Sequence, residues 1–291
     1  VHRSIVAGLD GSAESLAAAH WAAREARRSG RPLTLVQVWP PRILGKPADQ
    51  DAKDQGQRLL DDVAAELRAG HPEAEITATQ VLDDRPSAVL TAASGQAGLL
   101  VLGSRGLSGL RGFLLGSVSQ SVLGQAGCPV VLVRAGGEGP DGRPAGPDDE
   151  RPVALGVDFG RPCDAAVRFA FEAAAERSVG LHAVHAWSPV ASYGPSAFPV
   201  AMDLNTQLTE AETQALADLM RPWREKYPQV EVVEQVLLGS AGWALLEAVP
   251  HAGLVVIGRH PRQLPVGEHL GPVAHAVVHH APCPVAVVPC G

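Results

Sequence analysis

The chain has 291 residues, 46% of them apolar but only 4% aromatic, and a net charge of −7. That balance suits one large or two ordinary α/β domains built of Ala, Val and Leu, and it excludes the basic footprint that general nucleic-acid binding requires. No run of about 18 apolar residues occurs, so no membrane-spanning helix is expected.

The opening VHRSIVAGLD holds too short an apolar run for a signal peptide. Cys128, Cys163, Cys283 and Cys290 are too sparse for a disulfide framework. Reduced thiols and a cytoplasmic location are therefore expected.

Arg3–Leu9 reads as an apolar strand, and Asp10-Gly11-Ser12 as a turn with helix-capping residues. Ala13–Ser29 follows as a helix with Leu16, Ala19, Ala23 and Ala26 on one face, ended by Gly30. Leu33–Trp39 is a second strand. Pro40 to Asp51 is a proline-broken loop, read as a mobile flap, and Asp51–Ala69 a second helix. Glu75–Leu82 alternates like a strand, and Pro86–Gly95 is a short helix with proline in its first turn. Leu99–Leu102 is a continuous apolar strand, as expected of a parallel strand covered on both faces. A helix from about Ser117 and a fifth strand, Val130–Val133, complete the unit.

Strands alternating with helices imply a parallel, doubly wound sheet. Residues 135–151 are rich in Gly, Pro and Asp and read as a linker. The chain then repeats itself: VALGVD (153–158) matches IVAGLD (5–10), LHAVHAW (181–187) matches LTLVQVW (33–39), LVVIG (254–258) matches LLVLG (99–103), and APCPVAVV (281–288) matches AGCPVVLV (126–133). Two copies of one domain follow, 1–134 and 152–291.

The segment of most chemical interest lies between the fourth and fifth strands of the first copy. Gly103, two residues, Gly106, nine residues, Gly116 and Ser117 set a fixed spacing in a loop running from Ser104 to Leu115. A connection of this kind normally takes about 2–6 residues. Glycines let backbone N–H groups approach an anion, and a helix N-terminus adds partial positive charge. The loop holds Arg105 and Arg111 but no Lys, so it is not a Walker loop. It contains no His, Asp or Glu to act as a base, which favours binding over fast hydrolysis.

This spacing, with Asp10 ending the first strand and the GCPVVLV close, resembles the universal stress protein family in its tandem form, and the ATP-binding branch in particular. The resemblance implies two adenine-nucleotide alpha hydrolase-like domains, each a mainly parallel five-stranded sheet with helices on both faces. It also implies an adenine-nucleotide pocket at the carboxyl ends of the strands. Carried to this chain, Gly8, Leu9 and Asp10 meet the nucleoside, with Asp10 near the ribose or a metal, and Val38 offers backbone groups to adenine. Leu102, Gly103, Arg105 and Gly106 line the ribose and first phosphates, while Gly116, Ser117, Val118 and Ser119 hold the outer phosphates. ATP, with magnesium held mainly by phosphate oxygens and water, is the implied ligand. The family also pairs fifth strands antiparallel, domain to domain, a pairing that one tandem chain can make internally. A homodimer and a protein partner that responds to the nucleotide are further expectations. The alternatives are a slow magnesium-dependent ATPase and a scaffold that needs no nucleotide.

The second copy departs from the pattern. Pro261 stands in place of the second glycine and Pro272 in place of the serine. Proline fixes φ and has no N–H. Two lost donors to a charged phosphate weaken binding by about a hundredfold or more. A weak or empty second nucleotide site is expected, unless Arg259 and His260 replace the lost contacts. His275 and His279, one helical turn apart, read as packed or solvated imidazoles in preference to metal ligands. Cys128 and Cys283 read as small buried hydrophobes, and Cys290 as exposed. Trp39 and Trp187 are left open between pocket walls and strand-end packing.

Overall fold

The computed structural model describes residues 3–40, 42–43, 46–47, 50–104, 115–135, 150–188, 198–260 and 270–291. The first half runs β1 (Ile5–Gly8), α1 (Ala13–Ser29), β2 (Leu33–Trp39), β3 (Arg42–Ile43), β4 (Lys46–Pro47), α2 (Gln50–Gly70), β5 (Ile76–Leu82), α3 (Pro86–Ser94), β6 (Leu99–Gly103), α4 (Ser117–Gln125) and β7 (Val130–Val133). The second runs β8 (Val153–Val157), α5 (Asp164–Arg177), β9 (Leu181–Trp187), α6 (Phe198–Lys226), β10 (Val232–Leu238), α7 (Ala241–Ala248), a single 3-10 turn (Val249–His251), β11 (Leu254–Arg259), α8 (Pro272–His280) and β12 (Val285–Pro289).

Both halves share one strand order, β5-β2-β1-β6-β7 and β10-β9-β8-β11-β12, parallel throughout each half. The chain winds outward from β1 through β2 to β5, then returns to the other side of β1 to place β6 and β7. The strand order therefore reverses between β1 and β6, and between β8 and β11, which opens a crevice at the carboxyl ends.

Central strands are buried on both faces: Leu99 through Val101 are at 0% exposure and Leu102 at 4%. Helix α1 lays Ala18, Ala19, Ala22, Ala23 and Ala26 against the sheet, all buried. Its small side chains let the helix axis approach β1 and β6 closely. Ser12 caps its N-terminus by accepting from Ser15 N at 3.2 Å, and Gly30 ends it in the left-handed region, φ +63°. In the second half, Phe171 of α5 stacks on Trp223 and Tyr227 at the end of α6, with ring centroids 5.9 and 5.6 Å apart.

The two halves meet along β7 and β12, which pair antiparallel in the register Val285↔Leu132, Ala286↔Val131, Val287↔Val130. One continuous ten-stranded sheet results, with β5 and β10 at its ends. Among the described residues, three arginines fasten the joint. Arg177 Nη2 donates to Glu25 Oε2 at 2.7 Å, with both side chains buried. Arg259 donates from Nη1 to Gly124 O at 2.8 Å and from Nη2 to Ala126 O at 2.6 Å. Arg134 Nη2 donates to Val278 O at 2.9 Å. Each half thus sends one guanidinium to the carboxyl end of the other's last helix, α4 or α8, where helix carbonyls lack partners of their own.

The expectation of reduced, unpaired cysteines is corrected. Cys163, the residue before α5, and Cys290, just after β12, form a disulfide. Cys290 is buried, not exposed. The pairing escapes a sequence reading because 127 positions separate the two residues. Cys128 and Cys283 are buried, as expected, and stand outside the disulfide, and burial pushes the Cys128 thiol up to about 11.

Candidate functional site

The crevice at the β1/β6 reversal is a cavity of about 250 Å³. Gly8, Leu9, Asp10, Val38, Leu102, Gly103, Gly116, Ser117, Val118 and Ser119 all line it. Arg105 and Gly106, the other residues singled out from sequence, lie outside the described residues, as does the loop from 105 to 114. Ser12, Glu14, Ser15, Val36, Pro86 and Leu90 complete the lining. Sequence reasoning missed these, although Ser12 and Ser15 stand two and five residues after Asp10 and Leu90 is a buried leucine of α3.

The end of β1 is held by local hydrogen bonds. Leu9 N–H donates to Val36 O at 2.8 Å, continuing the sheet pairing one residue past β1. Gly11 turns the chain at φ +83°, a conformation that side chains rarely adopt. Asp10 Oδ1 accepts from Ser12 N at 3.0 Å and from Ser12 Oγ at 2.5 Å. Ser15 Oγ donates to Ser12 O at 2.9 Å and accepts from Asp10 N at 3.3 Å. Asp10 is therefore oriented at the cavity mouth by the start of α1, and the N-cap itself is Ser12.

Gly103 is required by packing as well as by any ligand, whereas at Gly8 the close neighbour is the tip of a leucine side chain. A Cβ on Gly8 would lie 2.7 Å from Leu102 Cδ2, and one on Gly103 would lie 2.6 Å from the backbone carbon of Glu14. The first glycine of the loop thus lets β6 end against the first turn of α1. Across the cavity, Gly116 is the N-cap of α4 with no side-chain cap, and the first intrahelical bond runs from Gln120 N to Gly116 O at 2.9 Å. The amides of Ser117, Val118 and Ser119 are the orphan donors of a helix N-terminus. Ser119 Oγ donates to Gly103 O at 3.2 Å, tying α4 to β6, so at Ser119 the amide is the group left to meet a phosphate.

The charged residues among the described lining are Asp10 and Glu14, both acidic. A polyanion there needs the α4 amides, a bridging cation, or both. The described residues contain no group of three or more His, Cys, Asp or Glu able to cage a metal.

The second copy has its own cavity, of about 210 Å³, at the β8/β11 reversal. Asp158, Val157, Val184, Leu245 and Ile257 line it where Asp10, Leu9, Val36, Leu90 and Leu102 line the first. Asp158 Oδ1 accepts from Gly160 N at 2.9 Å, as Asp10 accepts from Ser12 N. Four hydroxyls are gone: Ser12, Ser15, Ser117 and Ser119 of the first copy give way to Gly160, Cys163, Pro272 and Ala274. Cys163 enters the wall as half of the disulfide, and its sulfur lies where a Cβ on Gly258 would come within 3.2 Å. His260 lines this cavity, but Arg259 does not replace the lost phosphate contacts, because its guanidinium is committed to Gly124 and Ala126 of the other half.

Trp39 and Trp187 are not lining residues of either cavity. Trp39 packs against α2, its Cε3 3.3 Å from where a Cβ on Gly56 would stand. His275 and His279 place their rings 4.3 Å apart on α8. Of the expected flap between Pro40 and Asp51, Arg42–Ile43 and Lys46–Pro47 pair antiparallel and Gln50 begins α2, while residues 41, 44–45 and 48–49 lie outside the described residues.

The sequence matches the model of the universal stress protein family twice, over residues 2–134 and 150–289. A universal stress protein of Mycobacterium tuberculosis strain H37Rv, Rv2005c, is 34% identical over 97% of this chain and 96% of its own. The crystal structure of a universal stress protein from Archaeoglobus fulgidus DSM 4304 covers 99% of this chain and 98% of its own with a TM-score of 0.68 at 19% identity, a likeness of fold. A shorter universal stress protein solved in complex with cAMP aligns with 46% of this chain and 98% of its own, at 26% identity and a TM-score of 0.37.

Proposed function

This chain belongs to the universal stress protein family, and on that premise we propose that it is an ATP-binding regulatory module whose nucleotide site is the N-terminal cavity. The observation that supports this reading is convergence. Residues chosen from separate stretches of sequence, the end of β1, Val38 of β2, the end of β6 and the first turn of α4, line one cavity at the point where the strand order reverses. The nucleoside end lies against Gly8, Leu9 and Val38, with the ribose hydroxyls donating to Asp10. The phosphates lie on the α4 amides, with Arg105 and Gly106 contributing from the loop. Magnesium, when bound, supplies charge neutralisation, and Asp10 with Glu14 fits a cation held mainly by phosphate oxygens and water.

ATP acts here as a conformational ligand whose occupancy a protein partner reads. Ser104–Leu115 contains no His, Asp or Glu to activate water. The cytoplasmic setting and the homodimer belong to the same proposal; cell fractionation and sedimentation test them. Two measurements test the function. The nucleotide carried by the purified chain, identified by mass, should be an adenylate; a chain that neither carries nor takes up one is a scaffold. Turnover with ATP and magnesium should stay below about one per minute, whereas a faster rate abolished by Asp10→Ala would identify an ATPase.

A further inference from the structure

We propose that the C-terminal cavity is a binding site in its own right, for an uncharged ligand of nucleoside type, and that it discriminates against phosphate. The inference rests on the reading of the first cavity for its choice of adenosine as the probe. Its evidence is the set of differences between the two cavities.

What the second cavity keeps is the half that meets a neutral, partly flat molecule. Its size is close to that of the first, about 210 against 250 Å³. Val157, Val184, Leu245 and Ile257 preserve the apolar walls. Asp158 preserves the carboxylate at the mouth, held in orientation by the Gly160 N–H at 2.9 Å. Apolar walls with a few oriented polar groups are what a small-molecule pocket needs, and a carboxylate accepts from the two hydroxyls of a ribose-like diol.

What it loses is part of the phosphate-facing end, one amide and one hydroxyl at the start of the helix. Pro272 at the start of α8 has neither N–H nor hydroxyl, while Val273 and Ala274 keep their amides. The Cys163 sulfur is bonded to Cys290 and has no proton to donate. Arg259, next to Gly258 of the cavity wall, turns its guanidinium to the other half of the chain. Asp158 and Asp164 place two carboxylates in the lining, as Asp10 and Glu14 do in the first cavity, so carboxylate count does not separate the two. Arg161 and His260 are the lining groups that suit a phosphate, and the binding of ATP here is therefore measured alongside that of adenosine.

The experiment is calorimetric titration of adenosine and of ATP into the full chain and three variants. Val118→Trp fills the first cavity, Val273→Trp fills the second, and Asp158→Asn removes the second carboxylate's charge at an exposed position without touching the core. Val118→Trp should bind one adenosine, and bind ATP at least about tenfold more weakly. Val273→Trp should lose that adenosine site. Asp158→Asn placed in the Val118→Trp background should weaken adenosine at least about tenfold, the scale of a lost charge-assisted hydrogen bond. The proposal is overturned if Val118→Trp binds no adenosine, if Asp158→Asn leaves its affinity unchanged, or if ATP binds there as tightly as adenosine. The ATP reading of the first cavity fails separately, if the unaltered chain binds no ATP while Val118→Trp still binds adenosine.

Discussion

Ser117→Pro makes the N-terminal cavity resemble the C-terminal one at one position, and the structure supplies the expected magnitude. Ser117 is the first residue of α4 and Pro272 the first of α8. The preceding glycines have nearly the same backbone, φ −63°, ψ 149° at Gly116 and φ −60°, ψ 160° at Gly271. Extended backbone is what the residue before a proline prefers, and proline at the first helical position forfeits no intrahelical bond. The fold should therefore tolerate the change, with a stability shift within about 1 kcal/mol. The ligand should not tolerate it, because one amide and one hydroxyl are lost. At about 1.5–3 kcal/mol for each hydrogen bond to a charged group, ATP affinity should fall by about a hundredfold or more. Calorimetry of the variant, beside its thermal melt, measures both quantities. An ATP affinity within threefold of the unaltered chain, with the melt unchanged, would refute the reasoning that places phosphate on α4.

Arg177→Met should destabilise the chain by about 3–5 kcal/mol in urea unfolding, because it strands the Glu25 carboxylate, 2% exposed, at the joint of the two halves. The double variant Glu25→Leu/Arg177→Met should recover most of that loss, and a single-variant cost below about 1 kcal/mol would contradict the account. Glu176, beside the same joint, has its carboxyl pushed up to about 7 by desolvation and by the neighbouring Glu25 carboxylate. Between about pH 4.5 and 7 the folded chain holds this proton more tightly than the unfolded chain, so Glu176 lowers stability as pH rises through that window. Glu176→Gln should flatten that part of the stability profile, and an unchanged slope would count against the shift. Thiol titration of the denatured, unreduced protein should find Cys128 and Cys283 but not Cys163 and Cys290, whereas four reactive thiols would contradict the disulfide.

Local pattern was enough for most of the fold. The 3.6-residue period with Ser12 before it and Gly30 after it gave α1 its observed limits, Ala13–Ser29. The continuous apolar run at Leu99–Leu102 announced a strand covered on both faces. The repeat of GCPVVLV as PCPVAVV marked the two strands that join the halves, and they pair antiparallel as the family resemblance implies. For the candidate site, glycine spacing and Asp10 led to residues that line one cavity, because backbone turns and helix starts are local features. Contacts made across long stretches of chain left no such trace. The Glu25–Arg177 pair spans 152 positions and Arg259–Gly124 spans 135, and each depends on how two finished domains dock. One clue to the first was available: Glu25 lies on the otherwise alanine-rich inner face of α1, where a lone carboxylate requires a partner.

The central claim, that ATP occupies the N-terminal cavity, is tested most directly by photolabelling the full chain with 8-azido-ATP and mapping the modified peptides. The account predicts label within the first 134 residues, near the end of β2 around Val38, suppressed by excess ATP and lost in Val118→Trp. Label concentrated in residues 152–291, or label that Val118→Trp leaves unchanged, would contradict it.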